Sequence, residues 1–107
     1  MNTKYKIEDI GLAVWVPREL DHHHADMLRA EVEMLIHVHH ARNLVFDFEE
    51  TEFMDSSGIG VLIGRCRNLG YCNGVVYARN LSGRIEKIFD ASGLRKIIYV
   101  LSEGENQ

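Results

Sequence analysis

With 107 residues, 46% of them hydrophobic, the chain is long enough to bury one core and too short for two, so a single domain over residues 1–107 is expected. Charged residues make up 26% and the net charge is −4, a balance that excludes any overall attraction to nucleic acid or anionic membranes. The opening Met-Asn-Thr-Lys-Tyr-Lys-Ile-Glu has no apolar leader, and no run nears the roughly 18 apolar residues of a membrane span, so a cytoplasmic protein is expected.

Tyr5 and Ile7, a turn at Asp9-Ile10-Gly11, and then Leu12, Val14 and Val16 alternating with Ala13 and Trp15 predict two strands forming a hairpin. Pro17, the only proline, stops the second. From His22 to about His40, the positions of Ala25, Leu28, Val32, Leu35 and Ile36 have helical spacing, with Asp21 as the natural N-cap. Leu44 to Phe48 reads as a strand buried on both faces. A second helix begins near Ser56 or Ser57 and carries Ile59, Leu62, Ile63, Cys66 and Leu69 on one face; Gly70 and Asn73-Gly74 are expected to end it and turn the chain. Val75 to Ala78 follows as a strand, Ser82 to about Ser92 as a helix stopped by Gly93, and Ile97 to Leu101 as the last strand. The order β-β-α-β-α-β-α-β predicts an α/β fold with a mixed, mainly parallel sheet covered by helices.

The chain is organised around Phe53 to Gly64, where an apolar strand passes through an acidic link into the second helix. Asp and Ser lead the N-cap preference, so Asp55, Ser56 and Ser57 read first as capping residues. A helix start also offers free N–H groups and the positive end of the macrodipole, and so accepts an anion such as a phosphate. Asp47, Glu49, Glu50, Glu52 and Asp55 crowd into the nine positions ending at Asp55, which fits either a basic docking partner or an ordinary solvated loop.

Other chemistry is weakly supported. Gly58, Gly60 and Gly64 approach a dinucleotide fingerprint, but the acidic ribose partner about 20 residues on is missing, and close helix-to-sheet packing accounts better for these glycines. A nucleophilic serine would need a base and an oxyanion site; His22, His23 and His24 could offer a base, yet no G-x-S-x-G or S-x-x-K stretch accompanies them. Three consecutive helical histidines point in three directions, and His37 with His40 finds no clear third ligand, so no metal and no cofactor are expected. Cys66 and Cys72 read as reduced thiols, Cys66 in the core.

Three separated blocks, Glu19-Leu20-Asp21-His22-His23, Phe53 to Val61, and Ile88 to Leu94 followed by Lys96-Ile97-Ile98, together resemble the STAS-domain anti-sigma factor antagonists, most closely those of the sporulation type. The resemblance runs over nearly the whole chain. It implies helices packed mainly on one face of the sheet, no enzymatic activity, and phosphorylation of the second Ser of Asp-Ser-Ser-Gly, here Ser57, by an ATP-dependent serine kinase that is also the anti-sigma factor. It further implies reversal by a serine phosphatase, indirect control of a sigma factor, and a partner surface formed by Asp21, Phe53, Met54, Asp55, Ser56, Gly58 and Ile59. Phosphate at Ser57 is expected to be tolerated by free N–H groups of the helix start and to repel the partner through Asp55 and Glu49 to Glu52. Arg18 stands where the family pattern commonly has Gly, which puts the loop beside the site in question. The pattern also carries a further C-terminal helix, so either that helix is dispensable here or the sheet is less completely covered. The alternatives are a STAS binding module of a stressosome or lipid-transport complex, or a small nucleotide-binding module using the Gly58 to Gly64 helix start.

Overall fold

The computed structural model describes residues 3–71 and 74–102, with the backbone alone over 68–71. Strand β1 (Tyr5–Ile7) lies antiparallel to β2 (Leu12–Trp15). After a two-residue strand β3 (Glu19–Leu20) comes α1 (His22–His39), then β4 (Leu44–Asp47), a second two-residue strand β5 (Phe53–Met54) and α2 (Ser56–Tyr71). The chain continues through β6 (Val76–Arg79), α3 (Gly83–Ser92), a 3-10 turn (Leu94–Lys96) and β7 (Tyr99–Val100). The main sheet has the order β1-β2-β4-β6-β7, parallel everywhere except at β1, as the alternation of strands and helices requires.

Alternation along the strands sorts the two faces. Leu12, Val14, Leu44, Phe46, Val76 and Ala78 point to the side where Leu28 and Val32 of α1, Leu62 of α2 and Ile85 and Phe89 of α3 complete one core. The rings of Phe48 and Phe89 meet edge to face at 5.5 Å inside it. All four residues of β4 are buried, as expected of a central parallel strand. The opposite face has a smaller apolar cluster of Ala13, Val45 and Leu101, with Ile10, Trp15 and Tyr77 against it.

On that opposite face Trp15, Asp47 and Arg79 are neighbours in register across β2, β4 and β6. Arg79 donates from Nε to Asp47 at 2.7 Å and through both terminal nitrogens to Glu8 at 2.6 and 2.9 Å. Asp47 also accepts from the Glu49 N–H at 2.9 Å and from the Asn80 amide. The hydrogen bonds from Arg79 hold the Glu8 carboxyl below the usual carboxylate range.

Several boundaries differ from the sequence expectation. The last strand keeps only two of the five expected residues, because Gly93 turns left-handed (φ 77°) and the Ile98 N–H still donates to Leu94 C=O at 2.9 Å in the turn before it. The β6 strand runs one residue later than expected, to Arg79, which pairs with Asp47. Gly70 does not stop α2, which continues to Tyr71; Cys72 and Asn73 lie outside the described residues, as does any helix beyond Ser102. Cys66 packs against the core, and burial pushes its thiol up to about 11.

Candidate functional site

The two short strands missing from the sequence reading build the site. Strand β3 pairs in parallel with β5, Glu19 opposite Phe53 and Leu20 opposite Met54. The next residue on each strand is an aspartate, and each aspartate opens a helix, so Asp21 and Asp55 occupy equivalent positions at two adjacent helix starts. The Asp55 N–H donates to Leu20 C=O at 3.2 Å and ties them together. Arg18 C=O accepts the Glu52 and Phe53 N–H groups at 2.8 and 3.1 Å, while its guanidinium pairs with Glu52. Among the described residues only His40 and Asn80 are non-glycine with positive φ, so arginine in place of the family's glycine fits position 18 without backbone strain.

Both aspartates cap their helices. Asp21 Oδ1 accepts from the His24 N–H at 2.9 Å and from His24 Nδ1 at 2.8 Å, and these bonds, the backbone one first, lower its pKa. Asp55 Oδ1 accepts from the N–H groups of Ser57 at 2.9 Å and Gly58 at 3.3 Å. The capping reading of Asp55 is therefore correct. It also narrows the expected reception of a phosphate: the N–H groups of Ser57 and Gly58 already serve Asp55.

The expected partner-binding residues separate into two sets. Phe53 is 46% exposed, Ser56 is exposed, and Asp21, Asp55 and Ser57 are half-buried at the surface. Met54 and Gly58 are buried, which corrects their assignment as contacts, and Ile59 is half-buried against the core. Their place is beneath the surface: a Cβ on Gly58 would lie 2.7 Å from both Leu20 Cδ2 and Met54 Cγ. Only glycine lets α2 sit this close to the β3–β5 ladder. Helix packing does not explain Gly60 and Gly64, where an added Cβ would meet nothing within 4 Å. These two line an open groove between α1 and α2 with Ala25 and Ala30.

Gly58→Ala is expected to destabilise the fold by about 1–3 kcal/mol through this overpacking. Gly60→Ala, at an open helical position, is expected to be neutral or stabilising by up to about 1 kcal/mol. Urea midpoints at constant slope check both, and equal midpoints for the two variants would refute the close-packing account.

The acidic cluster is also less uniform than its sequence suggests. Asp47 is 1% exposed and bound to Arg79, Glu50 pairs with Lys4 at 3.4 Å, and Glu52 pairs with Arg18. The acids placed at the serines are Asp55 and, across the ladder, Asp21. From the sequence His22 is a conceivable base, a rejected metal ligand and a member of the Glu19–His23 block, with no link to Ser57. Its Nδ1 lies 3.5 Å from Ser57 Oγ, and its Nε2 lies 3.6 Å from Asp26 Oδ2. The two residues are 35 positions apart, and periodicity says nothing about such a meeting.

A Ser, a His and an Asp in series suggest a nucleophile, but His22 is 82% exposed at its side chain, and the N–H groups of Ser57 and Gly58, committed to Asp55, are not offered to an oxyanion. An accessible hydroxyl at an acid-flanked helix start is suited to modification and docking.

The STAS domain profile matches residues 3–106. An anti-sigma F factor antagonist of Paenibacillus polymyxa is 32% identical over 95 residues, covering 89% of this chain and 81% of that protein. The anti-sigma factor antagonist SpoIIAA in its unphosphorylated form superposes over 96% of this chain and 90% of its own with a TM-score of 0.77 and 29% identity. The phosphorylated form of SpoIIAA, described as a Bacillus cell fate determinant, gives a TM-score of 0.72 and 30% identity over 96% of this chain and 94% of that one.

Proposed function

The chain belongs to the STAS domain family, among the anti-sigma factor antagonists, and on that premise we propose that it is a partner switch of the sporulation type, set by phosphorylation of Ser57. Unmodified, it binds an anti-sigma factor serine kinase through Phe53, Ser56, Ser57 and the two capping aspartates, and the sigma factor is released. The kinase then phosphorylates Ser57 and is itself released; a serine phosphatase resets the cycle in the cytoplasm. The protein acts as a regulatory binding partner, not as an enzyme.

The observation that carries this reading is the placement of Ser57: an accessible hydroxyl at the start of α2, beside a second helix start held in register by the β3–β5 ladder. That a relative of the same fold is known in a phosphorylated form supports it. Phosphorylation adds a charge of about −1.5 to −2 at neutral pH. Ser57 lies at the surface at the start of α2, so the charge acts on the interface, where it adds repulsion and desolvation to Asp55 and Asp21.

The test is displacement. A purified complex of the cognate anti-sigma kinase with its sigma factor is mixed with the unmodified chain and separated by size. Free sigma factor is expected at a modest excess of the chain; a complex that survives a large excess contradicts the proposal.

A further inference from the structure

We propose that His22 is the counter-charge built to receive phosphoserine at position 57, so that the phosphorylated state carries an ion pair between the first turns of α1 and α2. This rests on Ser57 being the phosphorylated residue, and adds the group that makes its phosphate compatible with the fold. Two of the N–H groups that a helix start would ordinarily offer a phosphate, those of Ser57 and Gly58, are already bound by Asp55. A neighbouring side chain can add the charge that these two do not, and His22 Nδ1 is 3.5 Å from the Ser57 Oγ to which the phosphoryl group attaches.

The imidazole is oriented for this role from its other side. Nε2 faces Asp26 Oδ2 at 3.6 Å, and the second oxygen of Asp26 faces Arg29 at 3.4 Å. With Ser57 unmodified, an imidazole placed this way can accept the Ser57 hydroxyl proton at Nδ1 when its hydrogen is on Nε2. A dianionic phosphate offers acceptor oxygens only, so Nδ1 must hold a proton to pair with it, and the phosphate favours the imidazolium.

The remaining charged groups of this region are largely committed. Asp21 is held by His24, Arg29 faces Asp26, and across the groove on α2 Arg65 pairs with Glu33 at 2.8 Å, leaving Arg67 as the other cationic group lining the groove; His23 is the next residue on α1. The ion pair is present while phosphate is dianionic and His22 protonated. It weakens as pH falls below the phosphate value of about 6, and is lost as pH rises through the raised His22 value.

The experiment is an NMR titration of the histidine side chains in two full-length proteins, one with Ser57 and one with phosphoserine incorporated at position 57 during translation. No kinase is involved, so the result is independent of whether the anti-sigma kinase uses this site, which mass analysis decides separately. The His22 pKa is expected to rise by about one pH unit on phosphorylation, with His23 and His37 much less affected. Equal His22 values in the two proteins, or a rise shared equally by His23, would overturn the proposal.

Discussion

Arg79→Leu is expected to destabilise the protein by about 3–5 kcal/mol, the usual consequence of stranding one member of a buried ion pair. Asp47 is 1% exposed and keeps only the Glu49 N–H and the Asn80 amide once the guanidinium is gone. Glu8 loses a two-pronged hydrogen bond of 2.6 and 2.9 Å, and the turn after β1 loses its tie to β6. This network lies on the face that the three helices leave open, where the apolar cluster is small. Asp47→Asn combined with Arg79→Leu is expected to recover a large part of the loss, because no buried charge then remains unpaired. An unfolding free energy from urea titration within about 1 kcal/mol of the parent for Arg79→Leu alone would show that the pair contributes little.

The second large effect is on binding. Ser57→Asp is expected to weaken association with the anti-sigma kinase by at least about 100-fold, close to 2.7 kcal/mol, while Ser57→Ala remains bound at the parental affinity. Alanine removes only the hydroxyl and its 3.5 Å contact with His22, and leaves Asp55 capping the helix through the same two N–H groups. Aspartate adds a charge beside Asp55 and opposite Asp21, where a docking partner would have to desolvate it. Titration calorimetry with the purified kinase measures both. Since neither variant disturbs the buried Gly58 contact with Leu20 and Met54, their folded stabilities are expected to agree, which separates an interface effect from an unfolding one.

The elements that sequence reasoning placed well are those whose physics is local. Helix α1 carries its apolar period and its Asp21 cap in plain view, and α3 has Ser82 at one end and left-handed Gly93 at the other. Strand β4 is recognisable as buried on both faces because its residues are almost wholly apolar. A two-residue strand has no period, so the β3–β5 ladder that aligns Asp21 with Asp55 left no trace beyond the two aspartates themselves.

Burial of polar groups was equally hidden. Asp47 looked like one acid of an exposed cluster and is instead bound by an arginine 32 residues away. Met54 and Gly58 belong to the motif carried by the resemblance, yet their place is under the site. Family likeness marks positions that matter without distinguishing a contact from its support. The pairing of His22 with Ser57 depends on two helix starts meeting in space, and only the fold brings them together.

Whether Ser57 is the phosphoryl acceptor of an anti-sigma kinase decides the whole switch. Intact-mass analysis of the chain after incubation with the cognate kinase and ATP, with Ser57→Ala in parallel, tests it without intermediate steps. The parent is expected to gain a single phosphoryl group and the variant none. An unchanged parent mass, with a kinase shown to be active on another substrate, or equal phosphorylation of Ser57→Ala, would contradict it.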